Sequence, residues 1–200
     1  MNRRQTIFSV SAVLVGINLL IFLAQSFSTR ADLLITEKAI MDGAAILGKG
    51  EYYRLFTAMF LHADVEHLAS NMLILYFVGI HVERMLGKLP YLLLYLTSGI
   101  CGNLVSLAWQ LHAGNLFRSL GASGAVFGVV GAYFISAFLI RKYIGKNEMQ
   151  RIAFGVFYSL YIGFRSVGVD NAAHLGGFAA GVLETLLLRN LRRRRSETGR

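Results

Sequence analysis

The chain has little of what a water-soluble globule or a cross-linked scaffold needs. Its 200 residues include one cysteine, one proline and one tryptophan, and only 16% of them are charged. With Cys101 alone no intrachain disulfide can form, and its apolar neighbours give it the character of a small buried hydrophobe. A soluble domain of this length must cover most of its surface with polar groups, and 16% charge is too little for that. Disordered chains are poor in apolar residues, which this chain is not, so that class is excluded too. What is abundant is hydrocarbon: 55% of the residues are hydrophobic, and the mean hydropathy is +0.54.

Six apolar stretches, separated by polar or charged breaks, fall at about 7–27, 65–82, 89–109, 121–140, 149–164 and 170–188. A bilayer core takes about 20 apolar residues in helical form. The second stretch carries His67, Ser70 and Asn71, and the fifth is short, with Arg151 near its start. The first follows Asn2-Arg3-Arg4 as a signal peptide would, but its apolar length argues for a retained span. The expectation is an all-α polytopic membrane protein of six transmembrane helices. No internal repeat, low-complexity stretch or linker divides it, so residues 1–200 read as one domain. The long connection at about 28–60 holds Ile46, Leu47, Tyr52, Tyr53, Leu55 and Phe56, a composition suited to the membrane interface.

The net charge of +9 falls between the apolar runs and at the end. With a cytoplasmic amino terminus, the inside segments hold Arg3, Arg4, Arg84, Lys88, Arg141, Lys142, Lys146, Arg151, Arg189, Arg192 to Arg195 and Arg200, which is 14 of the 20 Lys and Arg. Arg30, Lys38, Lys49, Arg54, Arg118 and Arg165 lie outside. The positive-inside rule therefore places both termini in the cytoplasm. The basic tail at 189–200 suits anionic lipid headgroups. Nucleic acid is not an expected partner, because no aromatic residues interleave with the basic ones. Short termini without a transit segment suggest a bacterial plasma membrane.

Polar groups inside spans are costly and are functional candidates by default. Away from the span ends these are His67, Asn71, Glu83, Asn103, Ser123 and His174. Spans two, four and six all start on the outer side, so His67, Ser123 and His174 share a shallow depth that water can reach. Gly121, Gly124, Gly128 and Gly131, with Ala125 and Ala132, put small residues on one side of span four. Ala173, Gly177 and Gly181 answer on span six. Small residues four apart let helix backbones approach closely, so Ser123 and His174 are expected to meet. Spacing alone equally allows ordinary helix packing, with His174 bonded to a neighbour and Asn71 acting only as interhelical glue.

A serine hydroxyl needs a base within hydrogen-bond reach, and imidazole suits that task. His67 and Asn71, four residues apart, can offer donors to a developing oxyanion, as can backbone N–H groups at the start of span four. No carboxylate stands behind His174. Asp170, one turn before it, reads as a helix-start acid, so a Ser–His dyad is expected. No cofactor or metal is called for: His62 and His67 are five apart, Glu66 is misplaced for a zinc motif, and Asp170 lacks a carboxylate partner for an aspartyl mechanism.

Three strings, Gly121-Ala122-Ser123-Gly124, Ala173-His174-Leu175-Gly176-Gly177 and His67-Leu68-Ala69-Ser70-Asn71, together resemble the rhomboid family of intramembrane serine proteases. Tyr53-Arg54 before the second span, and Gly79 to Gly87 with Glu83-Arg84, are similar as well. The resemblance implies a rhomboid-like bundle with Ser123 as nucleophile and His174 as base. Asn71, His67 and the Ser123 N–H would hold the oxyanion, Gly121 would keep the site's backbone open, and Gly177 and Gly181 would seat span six against span four. Transmembrane proteins would be the substrates. Two positions depart from the family pattern: Tyr53 where tryptophan is common, and Phe127 where some members carry tyrosine against the histidine. Each keeps an aromatic face. The rival classes are a non-catalytic module that captures transmembrane clients and a small transporter, the latter disfavoured by the lack of an inverted repeat.

Overall fold

The computed structural model describes residues 9–165 and 168–198. The start of the first apolar stretch, at residues 7 and 8, and Arg3, Arg4 and Arg200 lie outside the described residues. The fold is all-α. In chain order, α1 spans Val10–Ser26, α2 Thr29–Ala39, α3 Gly43–Lys49 and α4 Arg54–Thr57, followed by a 3₁₀ turn at Ala58–Phe60. Then come α5 (Val65–Leu86), α6 (Lys88–Ala113), α7 (Ser123–Leu139), α8 (Arg141–Ile144), α9 (Lys146–Arg165) and α10 (Asn171–Thr198). Side-chain oxygens set the entry of several helices: Ser9, Ser28, Asp42 and Asp64 each accept from an N–H in the first turn that has no partner within the helix. Pro90 sits in the first turn of α6, where its missing N–H costs nothing.

Helices α5 and α6 are long and apolar enough to cross a bilayer, and α1 and α7 are shorter apolar helices. The connection at 28–60 is folded throughout its length into α2, α3, α4 and the 3₁₀ turn. A two-residue antiparallel pairing, β1 (Met41–Asp42) with β2 (Arg118–Ser119), fastens it to the α6–α7 loop. Arg118 Nη1 meets Glu37 Oε1 at 2.8 Å across the same junction. That hydrogen bond to Arg118 holds the Glu37 carboxyl below its ordinary range. Arg54 is buried and donates to the carbonyls of Glu37 and Ile40 at 2.9 and 3.0 Å, while its Nε meets Glu51 at 2.6 Å.

One core cluster joins α1, α5, α6 and α7 through Leu14, Leu75, Tyr91, Leu94, Tyr95 and Val129. A smaller one, with Met41, Ile46 and Leu55, lies under α3 and α4 against Leu107 of α6. The closest approach is among α6, α7 and α10. A Cβ added at Gly177 would overlap the Gly124 carbonyl, and one at Gly181 the Gly128 carbonyl. On α6, a Cβ at Gly102 would stand 2.7 Å from the Ala173 carbonyl. Only glycine permits backbones this close.

Glu83 takes a structural role, and Arg192 of the basic tail is fastened to the end of α5. Glu83, a functional candidate by its place in an apolar helix, accepts from Ser9 Oγ (2.6 Å), Val10 N (2.9 Å) and both Ser11 N and Oγ (3.1 Å). It shares the capping of α1 with Ser9. Into the basic tail α10 continues through Thr198, and Arg192 donates to the carbonyls of Met85 and Leu86 at the end of α5.

Candidate active site

Ser123 is the first residue of α7, and the helix has no side-chain cap, so its leading N–H groups have no helical partner. Gly121 just before it has φ +136°, a conformation that side chains rarely adopt. Its N–H donates to the Ala58 carbonyl at 2.9 Å, tying the serine to the 3₁₀ turn. A Cβ at Gly121 would lie 2.8 and 2.9 Å from Cε1 and Nε2 of His67, and 3.7 Å from Ser123 Oγ. The bare glycine thus leaves one opening shared by the His67 imidazole and the serine hydroxyl.

His174 stands in the first turn of α10 and is 7% exposed. Its ring stacks on Phe127, with centroids 4.4 Å apart and planes 20° from parallel. Phe127 is one turn beyond Ser123 on α7, and Gly124 lies against the Ala173 carbonyl, so the serine and histidine turns abut. No hydrogen bond joins Ser123 Oγ to His174 among the described residues; such contacts commonly tighten only when substrate is bound. His174 Nδ1 is buried with no partner among the described residues. Asp170 is occupied elsewhere: one oxygen accepts from Ala173 N (3.0 Å) and the other from Ser106 Oγ (2.5 Å). It caps α10, and among the described residues no carboxylate bonds the imidazole.

Asn71 is buried, and its Nδ2 donates to the His67 carbonyl of its own helix at 3.1 Å. Nothing among the described residues bonds it to Ser123. Asn103 donates to the Leu55 carbonyl at 2.8 Å, a support for the folded connection. Tyr53 is half exposed, with the Arg54 guanidinium 5.6 Å from its ring centre. Sequence reasoning passed over Glu184, an acid within the sixth apolar stretch, whose carboxylate oxygens lie 2.7 and 2.8 Å from Thr97 Oγ1. At about 1.5 Å per residue along α10, it is some 20 Å from Asp170, too far for the two to act as a pair.

This is the construction of a helical membrane protein whose site is assembled from helix starts locked by glycine contacts. Comparison with known proteins names the group: a model of the rhomboid domain matches residues 49–191. Rhomboid protease GluP of Bacillus subtilis is 37% identical over 149 residues, which are 73% of this chain and 28% of GluP. RHOMBOID-like protein 1 of Arabidopsis thaliana is 38% identical over 156 residues, 76% of this chain and 39% of the relative. The rhomboid YdcA of Bacillus subtilis is 30% identical over 170 residues, 84% of either chain. The chain belongs to the rhomboid family, a family of integral membrane proteins. It spans well under half the length of the first two of these relatives.

Proposed function

We propose that this chain is an intramembrane serine protease of one domain, with six spans and both termini in the cytoplasm, hydrolysing peptide bonds in or near transmembrane segments of other proteins. The observation that carries this reading is the abutment of the two helix starts, with His174 stacked on Phe127 one turn beyond Ser123. Ser123 Oγ attacks the scissile carbonyl while His174 takes its proton and then returns it to the leaving amine. The oxyanion is held by the Ser123 N–H, His67 and Asn71. Asn71 has a second amide hydrogen beyond the one given to the His67 carbonyl. Gly121, Gly124, Gly177 and Gly181 keep the backbones close enough for the pair to meet. Tyr53 and Arg54 anchor the folded connection beside the site. Arg193 to Arg195 and their neighbours face anionic headgroups.

The relatives named proteases support this reading. The unbonded serine hydroxyl favours a second one, a client-binding protein without turnover. A fluorophosphonate label separates them. Wild-type protein is expected to label, and Ser123→Ala and His174→Ala to lose both label and cleavage of a single-span reporter in proteoliposomes, with melting temperature unchanged. Either variant keeping near-wild-type turnover would sink the dyad, and a folded wild type that never labels would leave the client-binding reading.

A further inference from the structure

The turn from α8 into α9 borders an open cavity of about 370 Å³, within the ordinary size of small-molecule sites. Gly145 makes the reversal with φ +80°. Lys146, Met149, Gln150 and Ala153 line the cavity from α9. Offsets of three, four and seven residues put them on one helix face, headed by a cation and running down to Met149 and Ala153. Arg141 and Lys142 line it from α8.

The three cations meet little that neutralises them. Among the described residues none of Arg141, Lys142 and Lys146 forms an ion pair. The one acid between residues 140 and 153, Glu148, meets Arg151 instead, at 3.4 Å. Aromatic rings steady two of the three. The Arg141 guanidinium lies 4.2 Å from the Phe138 ring centre and gives one N–H to the Phe138 carbonyl at 2.9 Å, and the Lys142 nitrogen stands 4.8 Å from the Tyr143 ring centre. A guanidinium carries five N–H groups, so Arg141 keeps others for a second acceptor. Cationic heads on apolar stems beside aromatic rings are the make-up of a bilayer's interfacial zone. A bare anion would satisfy only the positive rim of this cavity, and a neutral lipid only its apolar wall.

We propose that this cavity binds one anionic phospholipid of the cytoplasmic leaflet, its phosphate held by Arg141, Lys142 and Lys146 and the upper part of an acyl chain laid along Met149 and Ala153. The inference rests on the six-span orientation, which sets this end of α7 at the cytoplasmic face. The arginine tail is not part of the cavity wall among the described residues, and Arg192 is turned to the end of α5. The lipid bridges α8, which follows α7 directly, and the first turns of α9. Phe154, Phe157 and Tyr158 of α9 face outward, so a phosphate shared by Arg141 and Lys146 supplies a fastening that the protein's own side chains do not make.

The test uses the full chain stripped of lipid in a nonionic detergent, titrated with dioleoylphosphatidylglycerol and read by native mass spectrometry. Wild type is expected to hold one phosphatidylglycerol about tenfold or more tighter than dioleoylphosphatidylcholine. The triple variant Arg141→Gln, Lys142→Gln, Lys146→Gln is expected to lose that preference. Ala153→Trp, which keeps all three charges and fills the apolar wall, is expected to weaken the same adduct about tenfold, and it carries the test if the triple variant fails to fold. Equal affinity for the two lipids overturns the proposal, as does an adduct that survives both variants or one that only substitution of Arg193 to Arg195 removes. Inorganic phosphate that competes as well as the lipid marks a bare anion site and overturns it too. Orientation is read separately, in intact cells expressing Asn147→Cys with Cys101→Ala, where an impermeant maleimide added outside is expected to leave position 147 unlabelled. Labelling there refutes instead the six-span orientation, and with it the leaflet named here.

Discussion

Helices α9 and α10 are neighbours in sequence and opposites in packing. On α10 the glycines press backbone against backbone with α7, and Ala173, His174 and Thr185 are buried. Along α9, Phe154, Phe157, Tyr158 and Tyr161 are each more than half exposed, and Val156 is its one buried apolar side chain among the described residues. Apolar area facing outward on a rhomboid is area for lipid. Lipid is as apolar as any partner side chain, so such residues gain little from helix contacts. Glycine contacts work differently, because their tolerance is set by hard backbone atoms. The histidine of the candidate pair therefore rides on the less forgiving of the two helices, which suits a group that must be held to within a fraction of an ångström.

The contrast can be broken most forcefully at Gly181. Gly181→Val drives side-chain carbon into the Gly128 carbonyl and is expected to destabilise the bundle by about 3 kcal/mol or more, read from unfolding in detergent. A melting point equal to wild type would mean that the seam yields freely. Phe127→Leu comes next, removing the ring under His174 at an expected cost of about 1 kcal/mol. Its sharper signature is a fall in reporter cleavage with little change in substrate binding; an unaffected turnover would deprive the stack of a role in orienting the imidazole. Phe157→Ala is expected to be smallest, within about 0.5 kcal/mol, since it removes area already outside the protein. A larger loss there would show α9 docked more tightly than its exposure implies.

The seam was legible in the sequence because small residues at a spacing of four admit few other uses inside an apolar run, and Gly124, Gly128, Gly177 and Gly181 carry that signal plainly. The start of each site helix was legible for a similar reason, since His67, Ser123 and His174 interrupt hydrocarbon near the beginnings of α5, α7 and α10. Glu83 was misjudged because an acid in an apolar helix looks alike whether it serves a substrate or caps another helix. The cap belongs to residues more than 70 positions away, beyond the reach of any local pattern. The connection at 28–60 hid its three helices because each is short, and Arg54 ties α4 to the end of α2 through carbonyls, which carry no side-chain code. Glu184 escaped notice because Leu186, Leu187 and Leu188 beside it made the stretch look uniform, although Thr97 answers it across the helix pair.

The end of α5 holds two fastenings that belong to opposite extremes of the chain. Its carboxylate at Glu83 takes the positive end of α1, while its last carbonyls take the guanidinium of Arg192. Each offsets the partial charge that a helix end would otherwise leave uncompensated. Together they bring the first described turn and the far part of the last helix to a single short stretch, residues 83–86. The polypeptide is thereby closed almost into a ring, clasped by one acid and one base, with the serine and histidine helices held in the arc between them.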